Sequence, residues 1–455
     1  NQIKQIIRGT NVKKIIKHDP FLWYSLLTWC CCLTKITMAS SPSNPSSPVS
    51  NSPNVVTRLA RRNILDLLPY RCARDDYDEG ILLDANENAF GAPLQKKPAH
   101  ENKNGCPVTN DINSHQLKLE LERYPCPYQI PLKTLYTSYR QARVGNDVNL
   151  HLAAKNVFVG VGSDEAIDML MRIFCTPGNG EDGDHIMITP PTYGMYTVCA
   201  KVNDVGVVKV PLTKEFDVPV DEILSTVNSK TKLLFLCSPG NPTAKAIPLA
   251  TIETILQSEK YQGIVVVDEA YIDFCAPNQS ALTLCHKYPE RLVVLQTLSK
   301  AFGLAGIRMG FALSGNSQII QLMNNVKAPY NVNKLTSDLA CSVLADPKNM
   351  DRLHANIDEA LKQRATVMDI LSKLSFVEKV FESDSNFILF RVKLNGKGEN
   401  VAKIMYQAMA DHGGVVTRFR GTEVHCDECI RVTVGTGEEN KVFIRELKKA
   451  WEDAN

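Results

Sequence analysis

No stretch of the 455-residue chain holds together the roughly 18 to 20 apolar residues that a membrane-spanning helix requires, so the sequence predicts a soluble protein. No charge sign dominates either. Lys+Arg 51 against Asp+Glu 49 leaves a formal net charge of +2, too balanced for the basic footprint of a nucleic-acid or anionic-surface binder. Cysteine is not scarce at 14, but the dense spacing of a disulfide framework is missing. Thiols scattered through a large chain predict free cysteines in a reducing compartment, and hence a cytoplasmic protein. His425-Cys426-Asp427-Glu428-Cys429 lacks both a fourth ligand and a second cluster, so no metal site is expected. Gly160-Val161-Gly162 lacks the third glycine of a dinucleotide fingerprint, because Glu165 stands there.

What is present is ordinary globular material, 44% hydrophobic and 22% charged, long enough for two compact units. The first residues stand apart. Lys4, Arg8, Lys13, Lys14 and Lys17 precede an apolar run from Pro20 to Leu33, which reads either as a targeting segment or as sequence upstream of a start at Met38. The second reading is the expectation, because Cys30-Cys31-Cys32 after a long basic lead fits no targeting class cleanly. Residues 40–54 form a Ser/Pro/Asn tract that cannot bury a core. Residues 1–56 are therefore expected to be disordered or non-native, and folded sequence to start near Thr57.

From VFVGVG (157–162) onward, short apolar runs alternate with helical patterns: HIMITPP, VGVVKVP, KLLFLCSP, IVVVDEAY and LVVLQTLSK. Continuous β-branched runs separated by helices predict an α/β fold with a mostly parallel sheet covered on both faces. After about Asn333 the chain becomes helix-rich, with strands expected at 386–392 and 429–435. The expected division is an N-terminal part of a small domain with a connecting arm over 57–128, a large domain over 129–331 and a small α+β domain over 332–455. A polar surface insertion is expected at 94–114.

Four segments at the expected strand ends carry chemistry, where ligands bind in parallel α/β sheets. Gly160–Glu165 leads into a helix whose free N–H groups can cradle a phosphate, although a tight turn needs nothing more. Ser238-Pro-Gly-Asn241-Pro-Thr243 is a turn that fixes an Asn side chain. Asp268 ends an apolar strand and is costly to bury without a cationic partner. Thr297-Leu-Ser299-Lys300 follows another such strand, and a lysine held in a pocket has the lowered pKa of a nucleophilic amine.

In order and content these four segments resemble the fold-type I aminotransferases that use pyridoxal 5′-phosphate (PLP). LLPYRCARDD, LLDANENAFG, RYPCP, GVGSDEAID, PPTYGMY, VVVDEAYIDF, TLSKAFGLAGIRMG, VKAPYN and CIRVTVGT narrow the resemblance to the histidinol-phosphate aminotransferase group, over about residues 61–450. The resemblance implies a large PLP-binding domain, a smaller α+β domain, and catalysis by Lys300, which carries the cofactor. It implies cofactor contacts from Ser163, Asp164, Glu165, Tyr193, Asn241, Asp268, Tyr271, Ser299 and Arg308. Substrate contacts are implied for Tyr70, Asn86, Tyr124, Arg418 and Arg431, with Tyr124 reaching into the partner subunit of a homodimer. The implied substrates are histidinol phosphate and 2-oxoglutarate or glutamate. An aromatic or other amino-acid aminotransferase of the same fold is the alternative within the class, and a non-catalytic PLP-binding regulator the alternative outside it. Ala244 departs from the family pattern, which places Gly there; with φ > 0 the alanine is strained. The 94–114 insertion is longer than the family needs, and the N-terminal extension has no counterpart.

Overall fold

The computed structural model describes Tyr77 and residues 80–84, 86, 88–90, 125–145, 150–178, 182–394 and 400–454. All of these fall in one compact unit, Ala60–Asn455. The expectations for residues 1–56, the 94–114 insertion, Tyr70 and Tyr124 lie outside the described residues.

In chain order the elements are β1 (Ile81–Leu82), α1 (Ile130–Val144), β2 (Val157–Val161), α2 (Gly162–Phe174), β3 (His185–Ile188), α3 (Met195–Val202), β4 (Gly206–Lys209), α4 (Val220–Thr226) and β5 (Thr231–Cys237). There follow α5 (Leu249–Gln257), β6 (Ile264–Asp268), β7 (Leu292–Thr297), β8 (Met309–Leu313), α6 (Ser317–Val326), α7 (Lys334–Ala345) and α8 (Pro347–Ser372). The chain closes with β9 (Val377–Val380), β10 (Phe387–Val392), α9 (Val401–Asp411), β11 (Val415–Val416), β12 (Arg418–Phe419), β13 (Cys429–Thr433) and α10 (Gly437–Ala454).

A seven-stranded sheet runs in the order β2-β8-β7-β6-β5-β3-β4. Only β8 runs against its neighbours β2 and β7. The strands are continuously apolar because both faces are covered. Leu234, Leu236, Val265, Val267 and Val294 enter one core, while Leu233, Phe235, Val266, Val293 and Leu295 enter the other. Each such side chain contributes roughly 1.5–3 kcal/mol on full burial. Strand β8 is not evident from the sequence, because Arg308-Met-Gly-Phe-Ala-Leu is a short run with glycine inside it, hard against the lysine motif.

A second, antiparallel sheet runs β12-β13-β10-β9. Its side chains alternate with period two. Ile388, Phe390, Val392, Ile430 and Val432 pack into a separate apolar core, so Arg431 and Phe387 are left on the other face. The long helix α8 leads into this region. Its start is fixed by Asp346, whose side chain accepts from the Lys348 amide at 2.9 Å, with Pro347 in the first turn where no amide is needed.

Candidate active site

Residues at or just after the carboxyl ends of β2, β3, β5, β6 and β7 line one cavity of about 530 Å³. At its first edge, α2 begins at Gly162 with no side-chain cap; the Gly162 amide donates to the Arg308 carbonyl at 2.9 Å, and the amides that follow it in the first turn can face an anion. Gly162 has φ 73, and a Cβ there would come within 2.6 Å of the Arg308 guanidinium. Gly310 of β8 lets the strand pass the start of α2, since its Cβ would lie 2.2 Å from the Ser163 nitrogen. Arg308 is itself left-handed at φ 54, a strained conformation that turns its half-exposed side chain to within 3.5 Å of Asp164. The Ser299 hydroxyl sits beside the Thr297 hydroxyl at 3.0 Å. Open helix amides, two serine hydroxyls and a guanidinium form a donor set that fits a phosphate ester.

Deeper in, Asp268 is the last residue of β6, paired in register with Cys237 and Leu295. It is almost wholly buried. Burial pushes its carboxyl up to about 6, opposed by the Tyr196 hydroxyl, which donates to Oδ2 at 2.7 Å. A carboxylate held in so apolar a place is receptive to a cation such as a protonated pyridine nitrogen. The neighbouring acid serves differently. Glu269 accepts from the Ser280 hydroxyl, the Ala281 amide and the Gln296 amide group, and it clamps the loop after β6.

Lys300 lies across the cavity, its Nζ 5.7 Å from the centre of the Tyr271 ring. The Tyr271 hydroxyl accepts from Asn86 Nδ2 at 3.1 Å. Tyr193 donates to Asp164 at 3.1 Å and meets Tyr196 edge-on. Asn241 accepts from Arg431 Nη1 through its Oδ1 at 2.5 Å, which leaves its amide nitrogen as the end able to donate. Phosphate-type donors at one edge, a buried acid at the base and an amine across from it fit the PLP that the sequence motifs imply.

At the opposite edge stand the arginines. Arg418 of β12 and Arg431 of β13 are direct cross-strand partners, so both side chains leave one face of the sheet. Arg431 is buried, donates through Nη2 to the Asp84 carbonyl at 2.6 Å, and lies 5.2 Å from the Phe387 ring centre.

The structure thus brings Asn86, Ser163, Asp164, Tyr193, Asn241, Asp268, Tyr271, Ser299, Lys300, Arg308, Arg418 and Arg431 to one cavity. The Glu165 side chain stands apart from this set. It does not line the cavity, because its carboxylate turns back to accept from the Val161 amide at 2.6 Å and from Asn331 at 3.0 Å. The first turn of α2 points it at the helix start, so it finishes that turn instead of the cup. Residues that sequence reasoning missed are Tyr196, Arg420 and Glu423. Tyr196 lies only three residues after Tyr193, whereas Arg420 and Glu423 follow Arg418 in a stretch with no recognisable period. Among the described residues no cluster of His, Cys, Asp and Glu has the makings of a metal site, and no helix is long and apolar enough to cross a membrane. The expected strain is present at Ala244, which is fully buried with φ 62.

Comparison with known proteins bears on this arrangement. The profile of the family "Aminotransferase class I and II" matches residues 78–447. A histidinol-phosphate aminotransferase of Schizosaccharomyces pombe is 46% identical over 395 residues, covering 85% of this chain and 95% of that protein. One from Saccharomyces cerevisiae is 41% identical over 402 residues, covering 86% and 96%. Among solved structures, histidinol-phosphate aminotransferase from Sinorhizobium meliloti in complex with pyridoxal-5′-phosphate superposes with a TM-score of 0.70 at 20% identity, covering 87% of this chain and 98% of that one.

Proposed function

The chain belongs to the class I and II aminotransferases, and from that membership we propose that it exchanges an amino group between L-histidinol phosphate and 2-oxoglutarate. The products are imidazole-acetol phosphate and L-glutamate, in histidine biosynthesis, and the cofactor is PLP. The observation that carries the substrate class is the pair Arg418 and Arg431, facing each other across two strands in the cavity that also holds Lys300 and Asp268.

When bound, PLP supplies an electron-withdrawing ring that makes the substrate's nitrogen-bearing carbon acidic. In the proposed site Lys300 would carry the cofactor, and once the substrate amine has displaced it, its freed Nζ would take the proton from that carbon as a general base. Asp268, oriented by the hydroxyl of Tyr196, would hold a positive charge on the pyridine nitrogen. Ser163, Ser299, Arg308 and the amides that follow Gly162 in α2 would hold the phosphate ester, with Asp164 steadying Arg308 and Tyr193. Asn241 and Tyr271 would hold the ring oxygen. Histidinol phosphate has no α-carboxylate whereas glutamate has two carboxylates, so one subsite must accept a phosphate and a carboxylate in turn. The planar fork of arginine binds either anion.

We further propose a cytoplasmic homodimer, with Tyr124 contributed to the neighbouring site and Tyr70 and Asn86 beside the substrate. The deciding experiment supplies purified, PLP-loaded protein with L-histidinol phosphate and 2-oxoglutarate and measures L-glutamate. Sustained glutamate formation is expected. Turnover of phenylalanine without turnover of histidinol phosphate would transfer the protein to the aromatic branch of the family.

A further inference from the structure

The arginine edge of the cavity contains a group that an anion subsite does not ordinarily need. Arg420 continues the ladder of β12, its amide donating to the Cys429 carbonyl at 2.9 Å, so its side chain leaves the sheet on the same face as Arg418. Like charges opposite one another destabilise a strand pair. Here the third guanidinium is answered by a carboxylate, since Arg420 Nη2 lies 2.7 Å from Glu423, with side-chain exposures of only 14% and 27%. Both residues line the cavity with Arg418 and Arg431. All three arginines act electrostatically on the Glu423 carboxyl, although burial is the larger influence and raises its pKa.

Glu423 is not a loose rim residue. Its amide donates to the Arg420 carbonyl at 3.0 Å, and its carbonyl accepts from the Cys426 amide at 3.0 Å. A further turn closes from Cys429 to Cys426 at 2.9 Å, and both cysteines are fully buried against Leu212, Phe216, Phe381 and Leu389. The His425–Cys429 run, with its metal-like composition, therefore serves to anchor the loop that presents Glu423. Arg420 is not saturated by this pairing, because its Nε is buried with no hydrogen-bond acceptor among the described residues.

We propose that Glu423 is a resident counterion of the substrate-anion subsite, occupying Arg420 when the cavity is empty and yielding it to the phosphate or carboxylate of each substrate in turn. This rests on the reading that the arginine edge takes those anions. The three guanidiniums outnumber the Glu423 and Asp84 carboxylates that line the cavity with them, which leaves this edge receptive to a phosphate. Displacement of Glu423 takes away part of the binding energy of every incoming anion, so neither substrate nor product is held too tightly for the other to follow. Glu423 is in these terms a positioning residue that tunes how tightly anions bind.

The test compares wild-type holoenzyme with Glu423→Gln, which is nearly isosteric and removes only the charge. Binding of inorganic phosphate by titration calorimetry should tighten roughly three- to tenfold, the size of one charge–charge opposition at about 4 Å in a cavity open to water. The KM for histidinol phosphate should fall with it while that for L-histidinol, the same molecule without the phosphate, stays put. Arg420→Gln should do the reverse and weaken phosphate binding. Unchanged or weaker phosphate binding by Glu423→Gln, or an equal change for L-histidinol, would overturn the counterion role. Because inorganic phosphate is the probe, the calorimetric result does not depend on whether histidinol phosphate is turned over at all.

Discussion

The two edges of the cavity are built in different ways. The edge that would hold the cofactor is assembled at the ends of parallel strands, and each functional residue follows its strand directly: Gly162 after β2, Asp268 at the end of β6, Lys300 three residues past β7. The edge that would hold the substrate anion is assembled across an antiparallel pair, where Arg418 meets Arg431 through register and Glu423 arrives on a loop. The first kind of site is fixed by strand ends, which the covered core holds rigid. The second depends on hydrogen-bond register and charge balance, and so it tolerates retuning. The proposed roles imply that damage to the first edge stops the chemistry, whereas damage to the second changes what binds and how tightly.

The sharpest way to break this contrast is Lys300→Ala. Loss of the proton-transfer amine should lower turnover by up to about 10⁴-fold, with PLP still retained by the cup. Borohydride reduction of the wild type followed by peptide mapping should fix the cofactor on Lys300, and a label on another lysine would remove the assignment. Next in size is the pair of adjacent acids. Asp268→Asn should cut kcat by about 10²- to 10³-fold with modest loss of bound PLP. Glu269→Gln should instead show itself in unfolding, costing about 1–3 kcal/mol in a denaturant titration through its disturbed hydrogen bonds, with kcat little changed. Equal effects on kcat would mean that the difference in surroundings between the two carboxylates has no functional meaning.

At the second edge the expected effects are smaller and concern binding. Arg431→Lys keeps the charge but removes the fork, so KM for histidinol phosphate and for glutamate should rise together by about 10- to 100-fold, with PLP absorbance unchanged. A rise for only one substrate would separate the phosphate and carboxylate subsites. The smallest effect is expected at Ala244, away from the chemistry. Glycine relieves a left-handed residue worth roughly 1–2 kcal/mol but gives up a buried methyl of about 0.8 kcal/mol. Ala244→Gly should therefore raise the unfolding midpoint by no more than a few degrees, measured by calorimetry.

Much of the first edge is legible because its residues sit within short segments that carry their own context: an apolar strand, a turn, then a polar group. Asp268 after Ile264-Val-Val-Val and Lys300 after Leu292-Val-Val-Leu announce themselves in this way. The Glu165 side chain shows the limit of such local context. It belongs to the segment by sequence, but the first turn of α2 directs its carboxylate back onto the Val161 amide. Tyr196 gives no such signal, because nothing local says that a helix residue will reach Asp268, 72 positions away.

The sequence by itself determined the alternation of strands and helices, the continuous apolar runs that demand a covered sheet, and the strand-end lysine, aspartate and asparagine. Those features are local, since periodicity and the cost of burying a charge can be read within a dozen residues. Only the tertiary structure decided that β8 runs antiparallel between β2 and β7, that Arg418 faces Arg431, and that Glu423 stands among the arginines. Each of these follows from pairing between segments far apart in the chain. A shift of one residue in register would send Arg431 into the apolar core with Ile430 and Val432, and it is the burial of that core, not any local motif, that holds the arginine in the cavity.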